Sequence, residues 1–180
     1  MNTTNLFVEL MVIGVGALSA ILLTVAAVFP AGSYAHLLNA ESFAAIVLVP
    51  LLALTYVLGI IVDRLADRLF TRPAHRLRSH HFEDDASYHH ARRTVLAGPE
   101  KIANLLEYAR SRMRICRGWA VNSMLLLLAW NLFADGRAAF LGTALLFVLL
   151  AGSIFAWRML VASQYRKVLG KYEFICNQAS

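Results

Sequence analysis

Four apolar runs organise this chain, and each stops at charged or turn-forming residues. They are 6–29 (LFVELMVIGVGALSAILLTVAAVF), 43–62 (FAAIVLVPLLALTYVLGIIV), 119–133 extended back to about Ile115, and 138–160 (AAFLGTALLFVLLAGSIFAWRML). A hydrocarbon core about 30 Å thick is crossed by roughly 20 helical residues. The first, second and fourth runs reach that length. The third does so only by taking in Arg117 or by leaving Asn131 near the far interface. Backbone in lipid must satisfy its own hydrogen bonds, so all four runs read as helices.

Composition agrees: 59% of the 180 residues are hydrophobic and 16% charged, where a soluble domain carries roughly a quarter charged. The expected fold is all-α, an integral membrane protein with four transmembrane helices in two hairpins and helical cytoplasmic extensions. It divides into a first hairpin (1–62), a basic middle segment (63–118), a second hairpin (119–160) and a tail (161–180). The first run has no Lys or Arg before it and exceeds the usual length of a signal-peptide core, so it is expected to remain as a span.

The basic residues set the orientation. Residues 63–118 hold 12 of the 17 Lys and Arg, the tail from Arg158 holds four more, and the 30–42 connection holds none. The positive-inside rule then places the middle segment and both termini in the cytoplasm, beneath the inner (plasma) membrane. Cys116 and Cys176 fall on that reducing side, which argues against a structural disulfide. The connections on the other side, PAGSYAHLLNAES and ADGR, are too small to form an external receptor domain.

Within the middle segment, run two is expected to continue as DRLADRLF and to end at Pro73, because proline disfavours helix in the residue before it. GPEK at 98–101 reads as a helix start. From there an apolar seam recurs at heptad-like spacing: Ile102, Leu106, Ala109, Met113 and Cys116. Such a seam is expected to pack along its length and to hold an oligomer together. The tail (VASQYRKVLGKYEFICNQAS) reads as a further short helix, interrupted at Gly170.

Four features bear on chemistry. SHHFEDDASYHH, at 79–90, offers His81, Glu83, Asp84, His89 and His90 as metal ligands, but in no spacing that defines a zinc site. A spacer or partner-contact loop is the favoured reading, with neither metal nor cofactor, and histidine titration near neutral pH is the other role open to it. Gly59, Asp63 and Asp67 spell G-x3-D-x3-D, which resembles the second half of the CDP-alcohol phosphatidyltransferase signature. In that family several carboxylates hold divalent metal over a phosphate, so the resemblance implies Asp63 and Asp67 as metal ligands of a lipid-headgroup enzyme. The first half, D-G-x2-A-R, is replaced here by AAIVLVP. An ion-paired helix exit is the plainer account of these aspartates.

Ionisable residues are nearly absent from the runs. Glu9 falls in the first turn of run one, near the headgroups, and Arg158 lies close enough to the inner end to snorkel. The missing mid-membrane charge argues against a proton or ion pump. Gly16 with Ala20, and Gly152 with Ala156, follow the small-xxx-small pattern of close helix packing. Mild polar residues scattered through the runs suit a pore, or simply bond to neighbouring helices. Arg110, Arg114 and Arg117, with Arg112 nearby, form a basic stripe at the membrane surface. It suits anionic lipid headgroups, an acidic partner or an anionic ligand. No aromatic platform or nucleotide-binding loop supports nucleic acid.

Four short spans, little outside and a small basic cytoplasmic middle resemble the small membrane subunits of bacterial antiviral (antiphage) defence systems, the Kiwa type above all. The resemblance covers the chain in outline and carries over no site residue. It implies a homo-oligomer that senses membrane disturbance and engages a cytosolic partner protein. The expected function is therefore a non-enzymatic membrane sensor or scaffold. A ligand-gated channel or pore is the second reading and a metal-dependent headgroup enzyme the third.

Overall fold

A computed structural model describes residues 3–29, 41–80, 82, 84–96, 100–134 and 136–179; side chains at 3, 41–47, 100–105, 138, 178 and 179 lie outside the description. The described residues are helical apart from short turns. In order they form α1 (Thr3–Val28), α2 (Glu41–Ser79), α3 (Asp85–Leu96), α4 (Glu100–Phe133) and α5 (Gly136–Ala179). Three segments are long and apolar enough to cross a membrane: Thr4–Val28, Leu48–Ser79 and Ala139–Asn177.

The third apolar run, in α4, is not among these. Arg117, Asn122 and Asn131 lower its hydropathy, and the tertiary structure accounts for two of them. α4 is the central helix and packs against each of the other four. Asn122 and Ser123 are fully buried there, and Ala120, Val121 and Ala129 nearly so. The face of α4 turned to its neighbours does not need to be apolar throughout, while Met124, Leu128, Leu132 and Phe133 are exposed on the rest of its surface.

Close backbone contact seals α1 to α2. A methyl group on Gly14 would stand 1.8 Å from the Thr55 carbonyl oxygen, and one on Gly59 would stand 2.0 Å from that of Leu10. Gly16 faces α4, where the Asn122 amide fills the space a side chain would need. Ile13, Ala17, Val62, Ala66 and Val121 form the core between these three helices. α4 turns into α5 through Gly136, whose φ of +67° suits a residue without Cβ. The Trp130 indole then lies over Gly142 and donates to the Ala139 carbonyl at 3.1 Å.

A second core lies at the other end. Phe82, Tyr88, Ala91 and Val95 meet Leu106 of α4 and Trp157, Val161, Tyr165 and Val168 of α5. Phe70 stands edge-on to Trp157 at 4.6 Å, and Tyr88 edge-on to Tyr165 at 5.4 Å, within the range where aromatic pairs attract.

This core corrects several expectations. Pro73 does not end α2, which continues to Ser79. Pro73 and Leu69, the residue whose carbonyl loses its donor, are both exposed, while Phe70, Ala74 and Leu77 anchor the surrounding turns on the core. The tail is no separate helix: α5 runs through Gly170, because Val168, Leu169, Tyr172 and Ile175 pack on the same core. The seam on α4 is likewise used inside the chain. Leu106 is buried, Met113 and Cys116 pack beside it, and Ala109 is half-buried. The side chain of Ile102 lies outside the described residues. Leu106, Met113 and Cys116 of the seam thus pack within the chain, on the core built with α3 and α5.

Residues 79–90 are no free spacer either. Phe82 is buried, and Asp84 caps α3 by accepting the Ser87 N–H at 2.7 Å. Tyr88 faces the core, while His80, His89 and His90 are exposed. His81 and Glu83 lie outside the described residues.

Candidate functional site: an arginine-lined cleft beside interhelical ion pairs

Where the two cores meet, charged side chains from three helices converge. Arg114 of α4 donates from Nη1 to Glu9 Oε2 of α1 at 2.9 Å, and its Nε lies 3.7 Å from Asp63 Oδ1 of α2. One turn on, Arg117 donates from Nη2 to the same Asp63 oxygen at 3.1 Å and from Nη1 to Asp67 Oδ1. The side chains of Glu9, Asp63 and Arg114 are 6%, 12% and 16% exposed, so these pairs are poorly screened by water. Spacing explains the match: Asp63 and Asp67 lie one turn apart on α2, and Arg114 and Arg117 about one turn apart on α4.

This overturns the reading of Arg110, Arg112, Arg114 and Arg117 as one free basic stripe. Arg114 and Arg117 are committed to acids of the same chain. Arg112 is exposed, with its guanidinium 5.7 Å from the centre of the exposed Tyr108 ring. Of these four arginines, only Arg110 lines the cleft without an acidic partner among the described residues. Asp63 and Asp67 likewise spend their charge on arginine. Gly59, the first residue of the G-x3-D-x3-D pattern, is a packing glycine. Among the described residues no three His, Cys, Asp or Glu side chains are placed to share a metal ion. Glu9 is nearly fully buried and accepts from Arg114.

Beside the ion pairs opens a cleft of about 540 Å³, bordered by α2, α3, α4 and α5. Six arginines line it against two aspartates. Arg78, near the end of α2, is held in three ways: its guanidinium lies 5.1 Å from the Tyr88 ring centre, Nη2 contacts His75 Nδ1 at 2.6 Å, and Nε lies 3.1 Å from Asp85 Oδ1 without hydrogen-bond alignment. Arg64, Arg92 and Arg110, from α2, α3 and α4, line the cleft with no ion pair among the described residues. Gln164 of α5 is buried at its border and makes no hydrogen bond among the described residues. Tyr165 donates to the Ala74 carbonyl at 3.4 Å; burial, with Tyr88 and Asp85 adding to it, raises its hydroxyl pKa against the lowering effect of Arg78.

Sequence reasoning passed over Arg64, Arg78, Arg92, Gln164 and Trp157 as cleft residues. They come together from α2, α3 and α5, so no local spacing announces them. Glu9 did carry a signal: a lone acid in an apolar run must find a partner or leave the lipid.

The small-residue positions divide. Gly16 and Ala20 are buried, Gly16 against α4. Gly152 is exposed with nothing within 4 Å of the place its Cβ would take, and Ala156 is half-buried. Comparison with protein-family models, with curated proteins and with solved structures returns no match.

Proposed function

We propose that this protein is a non-enzymatic membrane scaffold or sensor with four spans. Both termini lie in the cytoplasm beneath the plasma membrane, and a folded helical head there recruits a cytosolic partner. The observation that carries this reading is the second core. α2 and α5 have 39 and 44 residues, about twice a membrane crossing, and their surplus length packs with α3 and the start of α4 around shared aromatic rings. Measured outward from the ion pairs, residues 9–28, 41–63, 117–133 and 136–157 each rise roughly 24–33 Å at 1.5 Å per residue. That is close to one hydrocarbon thickness for all four legs. The basic residues cluster at the head end, as the positive-inside rule requires of a cytoplasmic face.

Homo-oligomerisation belongs to the same proposal. Its support is the outward face of α5, where Phe140, Leu145 and Val148 are largely exposed and a Cβ on Gly152 would meet nothing among the described residues. The Kiwa-type outline adds a setting in antiphage defence. Tyr108 and Arg112, exposed and stacked, are residue types enriched at protein interfaces.

The channel reading draws less support. Ser19, Thr24, Thr55, Ser123 and Asn131 each donate to a carbonyl four residues back in their own helix. The enzyme reading must first free Asp63 and Asp67 from Arg117. Purification of the full chain in native lipid, with identification of co-purifying proteins, tests the proposal. A soluble partner retained by the wild type and lost from Tyr108→Ala/Arg112→Ala is the expected result. A chain that co-purifies with no soluble protein, yet depolarises membranes, would replace the scaffold with a pore.

A further inference from the structure

Beyond the scaffold reading, we infer that the cleft between α2, α3, α4 and α5 is a binding site for a phosphate-bearing ligand, gripped by Arg64, Arg92 and Arg110. Three helices each send one of these arginines to the same cleft, and none has an acidic partner among the described residues. Converging like charges repel one another, and a polyvalent anion is what reverses that repulsion. Guanidinium groups present paired donors that match phosphate oxygens, so three of them suit a group with several charged oxygens better than a single carboxylate.

A second observation comes from α5. Gln164 is only 8% exposed, borders the cleft and has no hydrogen-bond partner among the described residues. Its amide atoms are not among the buried polar atoms left without a partner, so they reach solvent at the cleft border and can bond a ligand oxygen. The walls are preset. Arg114 and Arg117 are held by Glu9, Asp63 and Asp67, and Arg78 by Tyr88 and His75. Little ordering remains to be done on binding, which favours affinity. The volume of about 540 Å³ lies within the span of small-molecule sites.

Two sources offer this chemistry. Arg64 stands two residues past the end of the second apolar run, which brings a lipid headgroup phosphate within reach, while the arginines of α3 and α4 are equally open to a soluble phosphate ester. The test uses the full chain in phosphatidylcholine nanodiscs. Inorganic pyrophosphate is titrated against tryptophan fluorescence, since Trp157 lines the cleft. In parallel, native mass spectrometry counts phosphatidic acid retained from doped nanodiscs. Arg64→Gln/Arg92→Gln/Arg110→Gln is compared with a charge-matched control, Arg68→Gln/Arg93→Gln/Arg112→Gln, whose exposed positions lie outside the cleft. Equal melting temperatures establish that both triples fold.

Saturable pyrophosphate binding, weakened about tenfold or more in the cleft triple alone, supports the site with a soluble ligand. Phosphatidic acid retained by wild type and control but lost from the cleft triple, with no response to pyrophosphate, supports it with a lipid headgroup. Failure of wild type to bind either ligand overturns the inference. So does equal weakening in both triples, which would reduce the effect to general surface charge. Neither of these results bears on whether the head recruits a protein partner.

Discussion

Arg114 and Glu9, 105 positions apart, meet at 2.9 Å and tie the start of α1 to the middle of α4. The same guanidinium lies 3.7 Å from Asp63 of α2, so one arginine joins three helices. Breaking a buried pair by removing one partner strands the other charge, at a cost of about 3 kcal/mol or more. Glu9→Gln is therefore expected to lower stability by that order. Replacing both partners with methionine should cost less than the two single changes together, because no charge is then stranded. Denaturant unfolding in detergent of the wild type, Glu9→Met, Arg114→Met and the double variant, combined as a double-mutant cycle, measures the coupling. Additive single effects would mean that the pair contributes nothing.

The glycines make an unequal set. Gly59→Ala and Gly14→Ala each place a methyl group about 2 Å from a carbonyl oxygen of the opposing helix. Backbone cannot move aside cheaply, so each change should cost about 3 kcal/mol. Gly152→Ala meets open space and should leave stability unchanged or raise it by up to about 1 kcal/mol through helix propensity. Thermal melting of the three variants in one detergent ranks them. A destabilised Gly152→Ala would indicate that a second copy packs at that site.

Phe82 anchors the 79–90 stretch to Tyr88 and Tyr165. Phe82→Ala should cost about 3–5 kcal/mol locally, releasing α3 while leaving the α1–α2–α4 core in place. Hydrogen exchange should show amides of 85–96 losing protection and those of 10–20 keeping it. Global loss of protection would mean that the two cores fold as one unit.

Asp84 caps α3, and hydrogen bonds from the Ser87 side chain and backbone hold its carboxyl below the usual aspartate pKa. The sign follows from the folded value being the lower one. The cap's contribution is complete above the unfolded aspartate value of about 3.9, and it is lost as pH falls through the depressed folded value. Titration of this carboxyl by NMR should give a midpoint below that of Asp84 in Ser87→Ala. Equal midpoints would refute the assignment.

Much of the architecture was legible in the order of residues. Apolar runs of about 20 residues say helix and membrane without reference to any other part of the chain, because lipid demands an apolar surface and a self-satisfied backbone. The third run was the informative exception. Its asparagines make a poor span in isolation, yet Asn122 uses its amide nitrogen across the helix interface, donating to the Ile13 carbonyl at 2.7 Å, while its Oδ1 is buried without a partner among the described residues.

The sequence by itself determined the apolar runs, their helical character and where along the chain the basic residues fall, since hydropathy and charge count are local properties. Tertiary structure decided which charges are spent. Arg114 and Arg117 read as a free stripe until Glu9, Asp63 and Asp67 are brought beside them from other helices. It also decided that α2 passes through Pro73 and α5 through Gly170, because side chains packed on a shared core outweigh the local preference to stop. Arg64, Arg92 and Arg110 stand far apart in the chain, and only the packing of α2, α3 and α4 makes them one site.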